Sequence, residues 1–374
     1  MLASDFFLNA HHPAYFNSAG RTKGLKSAQL EAMAWLEKWQ EPWAITQGVK
    51  VKESDRLRSA FAQLAGYTSE AVAIVPAASY AMAWAALNVG LEPGDDIVIL
   101  DEEFPSTVYA WQYAAQAKGC SLTTVKHQLT DSLTQKICEA ITPKTKVVSV
   151  SNVFWKDGRL IDLPAIRQVL GANGWLIADI TQGLGVMPFN GPTSGVDVAV
   201  CSGYKWLLGP YGVAYAAVSD RCLSWAPLEM PWVNRCNVLA LSSQMYDDAF
   251  RPGAVKFDAG GKSEDFLLPV ASVGLEWVNQ HQAQILSQVR DVQRSVLSVL
   301  DEFGLPYVVN QALHIVGVPG SSFTLPLSQL ESSFKEKGVI VGIRSDCLRL
   351  SWYAYTLPDE IQRLKMALRN SLKI

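Results

Sequence analysis

The sequence lacks any surplus of positive charge: 32 Lys and Arg stand against 35 Asp and Glu, leaving −3 with neutral histidines. Such a chain has no electrostatic grip on nucleic acid or acidic lipid, so a small molecule is the expected partner. None of the six cysteines (Cys120, Cys138, Cys201, Cys222, Cys236, Cys347) forms a C-x-x-C pair. A sequence of 374 residues needs no disulfide staples, and reduced thiols in a cytoplasm are the expectation. The five histidines (His11, His12, His127, His281, His314) have no ligand spacing with acids or cysteines, so no metal site is expected, and each is read as a surface or core residue. No apolar run is long enough to span a bilayer, and Asp5 interrupts the short N-terminal apolar patch, which no basic leader precedes. Repeats and low-complexity tracts are missing too. With 49% hydrophobic and only 18% charged residues, disorder is excluded and a sizeable core is possible. Two nucleotide-binding signatures also fail. Gly261-Lys262-Ser263 has Lys256 where a P-loop needs its first glycine, and Gly183-Leu184-Gly185 has Pro188 where a dinucleotide fingerprint needs its third.

What is present is alternation. Short β-branched runs at 72–75, 97–100, 121–125, 146–152, 175–179, 196–202 and 212–219 read as buried strands. Helix-like stretches at 79–89, 106–118, 131–141 and 163–171 separate most of them. Strands apolar on both faces and divided by helices predict an α/β fold, a mostly parallel seven-stranded sheet flanked by helices. Two helices precede it, near 25–40 and 54–65, the second capped by Ser54 and closed by Gly66. Beyond about 265 come helices at 265–281 and 284–303, strands near 314–318, 339–344 and 347–355, and a last helix from 358. That predicts a smaller α+β C-terminal domain. The expected division is an arm (1–24), a large domain (25–260) and a small domain (261–374). Trp35, Trp39 and Trp43 are expected to pack in the core or at a subunit contact.

Ligands of open α/β sheets bind beyond the carboxyl ends of the parallel strands. Run 72–75 ends at Ala78 and Ser79, a helix start whose free amides and hydroxyl can hold a phosphate. Run 97–100 leads to Phe104, a ring that can stack. Run 146–152 ends at Asn152, and Gln182 follows the 175–179 run; both can donate to a phenolate oxygen. Asp179 can keep a pyridine nitrogen protonated, and Lys205, after the 196–202 run, can form an imine. An aspartate at a strand end is often only a cap, and most lysines are solvated. The weight lies in five suitable residues on five strand ends of one sheet.

Asp179-Ile-Thr-Gln182 followed by Ser202-Gly-Tyr-Lys205, 26 residues from acid to lysine, resembles the signature of the class V aminotransferases, which are pyridoxal-5′-phosphate (PLP) enzymes of fold type I. Tyr15-Phe-Asn-Ser-Ala-Gly20, Glu103-Phe-Pro-Ser-Thr-Val-Tyr-Ala-Trp111, Gly203-Tyr-Lys-Trp-Leu-Leu-Gly-Pro210 and Arg349-Leu-Ser351 with Tyr355 extend the resemblance over nearly the whole sequence. The family includes cysteine desulfurases, isopenicillin N epimerase and C–S lyases. The resemblance implies that Lys205 is the Schiff-base lysine and proton shuttle, with Asp179 on the pyridinium. It implies that Asn152 and Gln182 contact the phenolic oxygen, and that Ala78, Ser79 and Ser202 hold the phosphate. Arg349 would clamp the substrate carboxylate, with Asn17 as a further substrate contact. Phe257-Asp-Ala-Gly-Gly261 resembles the segment that reaches a neighbouring subunit's phosphate, which implies a homodimer with shared sites.

Two departures from the desulfurase pattern stand out. Phe104 occupies the place of a histidine over the ring. Arg344 and Arg349 are only five residues apart, so the loop carrying a nucleophilic cysteine is missing, and Cys347 between them is read as a packed residue. The expected activity is that of a PLP lyase that breaks a C–S bond of its substrate by β-elimination. An aminotransferase or epimerase is the alternative on the same fold, and a non-catalytic PLP-fold binding protein the alternative of another class.

Overall fold

The computed structural model describes residues 2–6, 12–239, 249–261, 266–308 and 310–372. His11 and the Lys262-Ser263 pair lie outside them. The fold opens with a short strand β1 (Ala14–Tyr15) and helices α1 (Lys26–Lys38) and α2 (Gln47–Ala65). Then strands and helices alternate: β2 (Val72–Val75), α3 (Ala78–Asn88), β3 (Asp96–Leu100), α4 (Pro105–Lys118), β4 (Ser121–Val125), α5 (Leu133–Ala140) and β5 (Thr145–Ser151). They continue through α6 (Leu163–Leu170), β6 (Trp175–Asp179), the single turn α7 (Gly191–Ser194), β7 (Val198–Ser202) and β8 (Ala214–Val218).

The sheet runs β2-β8-β7-β6-β5-β3-β4. Only β8 opposes its neighbours, so the other six strands point one way and their carboxyl ends share an edge. Side groups alternate across the sheet plane. Val72, Ile74, Val98 and Leu100 enter one core, while Ala73, Val75, Ile97 and Ile99 enter the core on the opposite face. Each fully buried Val, Ile or Leu contributes roughly 1.5–3 kcal/mol, so apolar residues on both faces are what a covered sheet requires. The edge strand β4 is the exception, half open to solvent and carrying Ser121, Thr123 and Thr124.

The C-terminal part begins with α8 (Leu267–Glu302), one continuous helix where two are expected from the sequence. Nothing between 281 and 284 breaks it, since Gln282 and Ala283 are ordinary helix residues. Then come β9 (Ile315–Pro319), α9 (Leu327–Glu336), β10 (Val339–Ile340), β11 (Gly342–Arg344), β12 (Cys347–Ser351) and α10 (Pro358–Arg369). The run expected as one strand over 339–344 is two: β10 pairs with β1 of the N-terminal segment, and β11 joins β12 and β9 in an antiparallel sheet. The cap of α2 also differs from expectation. Thr46 accepts from Val49 N, whereas Ser54 is buried within the helix and bonds Lys50 O. Gly66 closes the helix at φ +75° as expected. Trp35 is buried, but Trp39 and Trp43 are 61% and 75% exposed, so neither is a core residue of this protomer. Among the described residues no helix is long and apolar enough to cross a membrane.

Candidate active site

Strand register brings the site together. Ser151 pairs with Asp179 across β5 and β6, and Asp179 pairs with Val200 across β6 and β7. Ser202 and Val75 both face Ala214 of β8, so Ser202 and the start of α3 flank one residue from either side. Short bonds tie the strand ends: Asn152 N donates to Asp179 O (3.1 Å), Thr181 N to Asp179 Oδ1 (2.9 Å), and Ser202 N to Thr181 Oγ1 (2.9 Å). Thr181 is a positioning residue that the sequence reading passes over.

Lys205 follows β7 and is buried. Its Nζ lies 5.5 Å from the centre of the Phe104 ring and 5.7 Å from that of Tyr204. It has no hydrogen-bond or ion-pair partner among the described residues. Burial pushes the amine down to about 8; Asp179 opposes this, while Arg349 and Arg344 add to it. Near physiological pH an amine so placed is neutral far more often than an ordinary lysine, as a nucleophile or base must be. The segment after it is clamped: Thr22 Oγ1 donates to Lys205 O at 2.6 Å. Gly274 of α8 sits so close that a Cβ there would fall 2.6 Å from Leu207 O.

Glu103 is a buried acid whose importance the sequence does not reveal. Its carboxylate accepts from Phe104 N (2.9 Å), Ser151 N (3.0 Å) and Ser151 Oγ (2.9 Å), locking the stacking ring to the end of β5. Burial pushes it up to about 7 despite these bonds, and Asp179 adds to the rise. In the sequence it ends the acidic run Asp101-Glu102-Glu103 and carries no role of its own.

On the facing side, Arg349 of β12 is only 1% exposed. Nη1 donates to Trp155 O (2.8 Å) and Nη2 to Asn17 Oδ1 (3.3 Å), while Nε has no partner. No carboxylate pairs with it among the described residues. Burial first, then the Arg344 charge, push its guanidinium down to about 9. Asn17 reaches it because the N-terminal segment runs beside β12: Asn17 bridges Ser351, and Ala19 N donates to Ser351 Oγ at 2.8 Å.

Gln182 is largely committed to the protein. Its Nε2 donates to Ala19 O (3.2 Å) and its Oε1 accepts from Trp206 (3.0 Å), leaving one amide hydrogen. Asn152 is freer, with its buried Oδ1 unpartnered. Gly261 is exposed, with nothing within 4 Å of where its Cβ would be, so no contact within this protomer brings it to the site. The described histidines are occupied elsewhere: His12 by Glu360, His127 by Arg159, His281 by Trp277 O and His314 by Gln182 O. Cys347 donates to Lys156 O, and burial pushes its thiol up to about 12.

These groups fit pyridoxal phosphate. The unpartnered Lys205 amine lies beside the Phe104 ring and within electrostatic reach of Asp179. Helix α3 starts at Ala77, which has no polar group to cap it, so the Ala78 and Ser79 amides are open to a phosphate.

The Aminotransferase class-V family profile matches residues 46–364. An uncharacterized aminotransferase of Bacillus subtilis, YcbU, is 23% identical over 317 residues, 83% of this chain and 82% of its own length. A probable cysteine desulfurase of Streptomyces coelicolor is 24% identical over 364 residues, 87% of this chain and 81% of its own. Among solved structures, the cystine C–S lyase C-DES bound to cysteine persulfide superposes with TM-score 0.85 at 19% identity, covering 96% of this chain and 98% of that one. The cysteine desulfurase CsdA of Escherichia coli gives 0.77 at 16%, covering 99% and 97%. These likenesses bear out the fold expected from the sequence, and the profile identifies the lineage: the chain belongs to the class V aminotransferase family.

Proposed function

We propose that this PLP-dependent enzyme is a lyase that eliminates a sulfur substituent from Cβ of an amino acid. Ala78, Ser79 and Ser202 would hold the cofactor phosphate, Asn152 the phenolic oxygen, and Phe104 the ring face. Asp179 would keep the ring nitrogen protonated, and Lys205 would bind the aldehyde carbon covalently. Pyridoxal phosphate, when bound, supplies an electron sink for the pair left at Cα when a bond there breaks. Arg349 orients the substrate by its α-carboxylate, and the Lys205 amine, near 8, takes the Cα proton and can pass it to the leaving sulfur.

One observation favours elimination over persulfide transfer. Strands β11 and β12 are joined by Ser345 and Asp346 alone, with Ser345 at φ +49°. No loop there carries a thiol, and Cys347 is buried and protonated. With no thiol on that turn to receive it, sulfur departs with its substituent: Cα–H and Cβ–S break, a thiol leaves, and the enamine product hydrolyses to pyruvate and ammonia. A homodimer in the cytoplasm belongs to this reading; exposed Trp39, Trp43, Met230 and Trp232 supply apolar surface for a second copy. The test is product analysis with cysteine, cystine and S-alkylcysteines. Pyruvate with equimolar ammonia is expected. Alanine with persulfide would overturn the assignment in favour of a desulfurase, a keto acid with amine-form cofactor in favour of an aminotransferase, and racemised substrate in favour of an epimerase.

A further inference from the structure

Arg344 is a second guanidinium with no acid paired to it among the described residues. It stands opposite Cys347 in the β11–β12 hairpin, while Arg349 stands opposite Gly342. Residues opposite one another, and residues two apart on one strand, share a face. Arg344, Gly342 and Arg349 therefore project to the same side. The packing agrees: the position of a Gly342 Cβ would lie 2.8 Å from Asn17 Oδ1 and 3.6 Å from Arg344 Nη1. Arg344 also lies 5.8 Å from the centre of the Trp155 ring, and the carbonyl of that same residue holds Arg349. Trp155 in turn meets the Phe104 ring edge-on at 5.6 Å. Both guanidinium charges act on Lys205.

The acids nearby are engaged by other cations. Asp346, two residues from Arg344, pairs with Lys156 at 2.6 Å, and so does Glu102 at 2.7 Å. Asp157 pairs with Arg159 at 2.9 Å. Among the described residues Arg344 itself donates only to its own neighbour, Ile343 O. Glu331 acts on it through space without pairing, and burial pushes its guanidinium down. One α-carboxylate satisfies one of the two arginines. The other remains a half-buried cation on the same face, which is costly unless an anion arrives.

We infer that the substrate is an amino acid with a second anionic group at the far end of its side arm, a carboxylate or an oxidised-sulfur acid, and that Arg344 binds it while Arg349 holds the α-carboxylate. This rests on the role of Arg349 proposed above and narrows the substrate class. Trp155 forms the wall between the two anion positions. Arg344 acts as a specificity residue: it adds affinity for the doubly anionic substrate and discriminates against neutral ones.

Binding can be measured without turnover. Calorimetry on the holoenzyme would compare the dicarboxylates succinate, glutarate and adipate with the monocarboxylate butyrate, and the best dicarboxylate length reads the spacing of the two arginines. The best dicarboxylate should bind about tenfold to a hundredfold tighter than butyrate, as expected for a charge-assisted bond. Arg344→Gln should bring that ratio close to one by weakening the dicarboxylate far more than butyrate. A wild-type ratio near one, or a ratio that survives Arg344→Gln, overturns the inference. Loss of butyrate binding in Arg349→Gln checks the underlying clamp separately. A kinetic arm tells the two acid classes apart: S-carboxymethylcysteine and cysteine S-sulfonate against S-methylcysteine. Arg344→Gln should raise KM about tenfold or more for an anionic substrate and change it far less for S-methylcysteine. Equal KM changes for all three would reduce Arg344 to a structural role.

Discussion

The two walls of the proposed site are built in different ways. The cofactor wall consists of the ends of β2, β3, β5, β6 and β7, each a few residues past a buried strand, in positions that parallel topology fixes. The proposed substrate wall collects Asn17, Trp155, Arg344 and Arg349 from three distant parts of the sequence, held by the β1–β10 pairing and the β11–β12 hairpin. The first wall carries its acids and amides in place. The second carries guanidinium groups with no carboxylate paired to them among the described residues, an arrangement that suits a charged ligand. Preorganised chemistry thus sits on one side and unmet charge on the other, which separates what the enzyme does from what it does it to.

The sharpest way to break this contrast is Arg349→Lys. A planar fork holds a carboxylate at two points, and an ammonium cannot. The expected result is a drop of about a hundredfold to a thousandfold in kcat/KM, mostly in KM, with cofactor content unchanged. Loss of cofactor in this variant would show that the two walls are not independent.

On the cofactor wall, Glu103 should give a pH signature. Its carboxyl titrates near 4.5 ordinarily and near 7 when folded. Between those values the folded state binds more protons, so stability falls as pH rises through this window, by on the order of 3 kcal/mol. Urea unfolding at several pH values should show that slope in the wild type and a flatter curve in Glu103→Gln. An unchanged slope in the variant would assign the effect to another group.

Gly274→Ala probes the support behind Lys205. Its added Cβ meets rigid backbone at Leu207 and Leu208, and a cost of about 2–3 kcal/mol is expected, with weaker cofactor retention. A fully stable variant would mean that α8 does not brace the lysine segment. The smallest effect is expected far from both walls. Thr46→Ala should cost about 1 kcal/mol by removing the cap of α2, and a neutral result would show that this cap contributes nothing to stability.

Legibility in the sequence follows the same division. The cofactor wall can be read because strand ends are local: the 72–75 and 175–179 runs place Ala78 and Asp179 unaided. Glu103 escapes because its burial depends on Ser151, 48 residues away. The substrate wall is hidden because nothing local links Asn17 to Arg349, 332 residues apart. Resemblance supplies those two residues, but not Trp155 or the unpaired state of Arg344. Helix α8 is missed as one piece because a polar stretch reads as a gap although no breaker is present. The early start of α2 is missed because 47–53 carry little apolar periodicity.

The central claim is that the amine of Lys205 carries the cofactor. Protein reconstituted with pyridoxal phosphate, reduced with borohydride and digested should yield a single pyridoxyl-labelled peptide, the one containing Lys205, and Lys205→Ala should yield none. A label on another lysine, or colourless protein that takes up no label, would contradict the account.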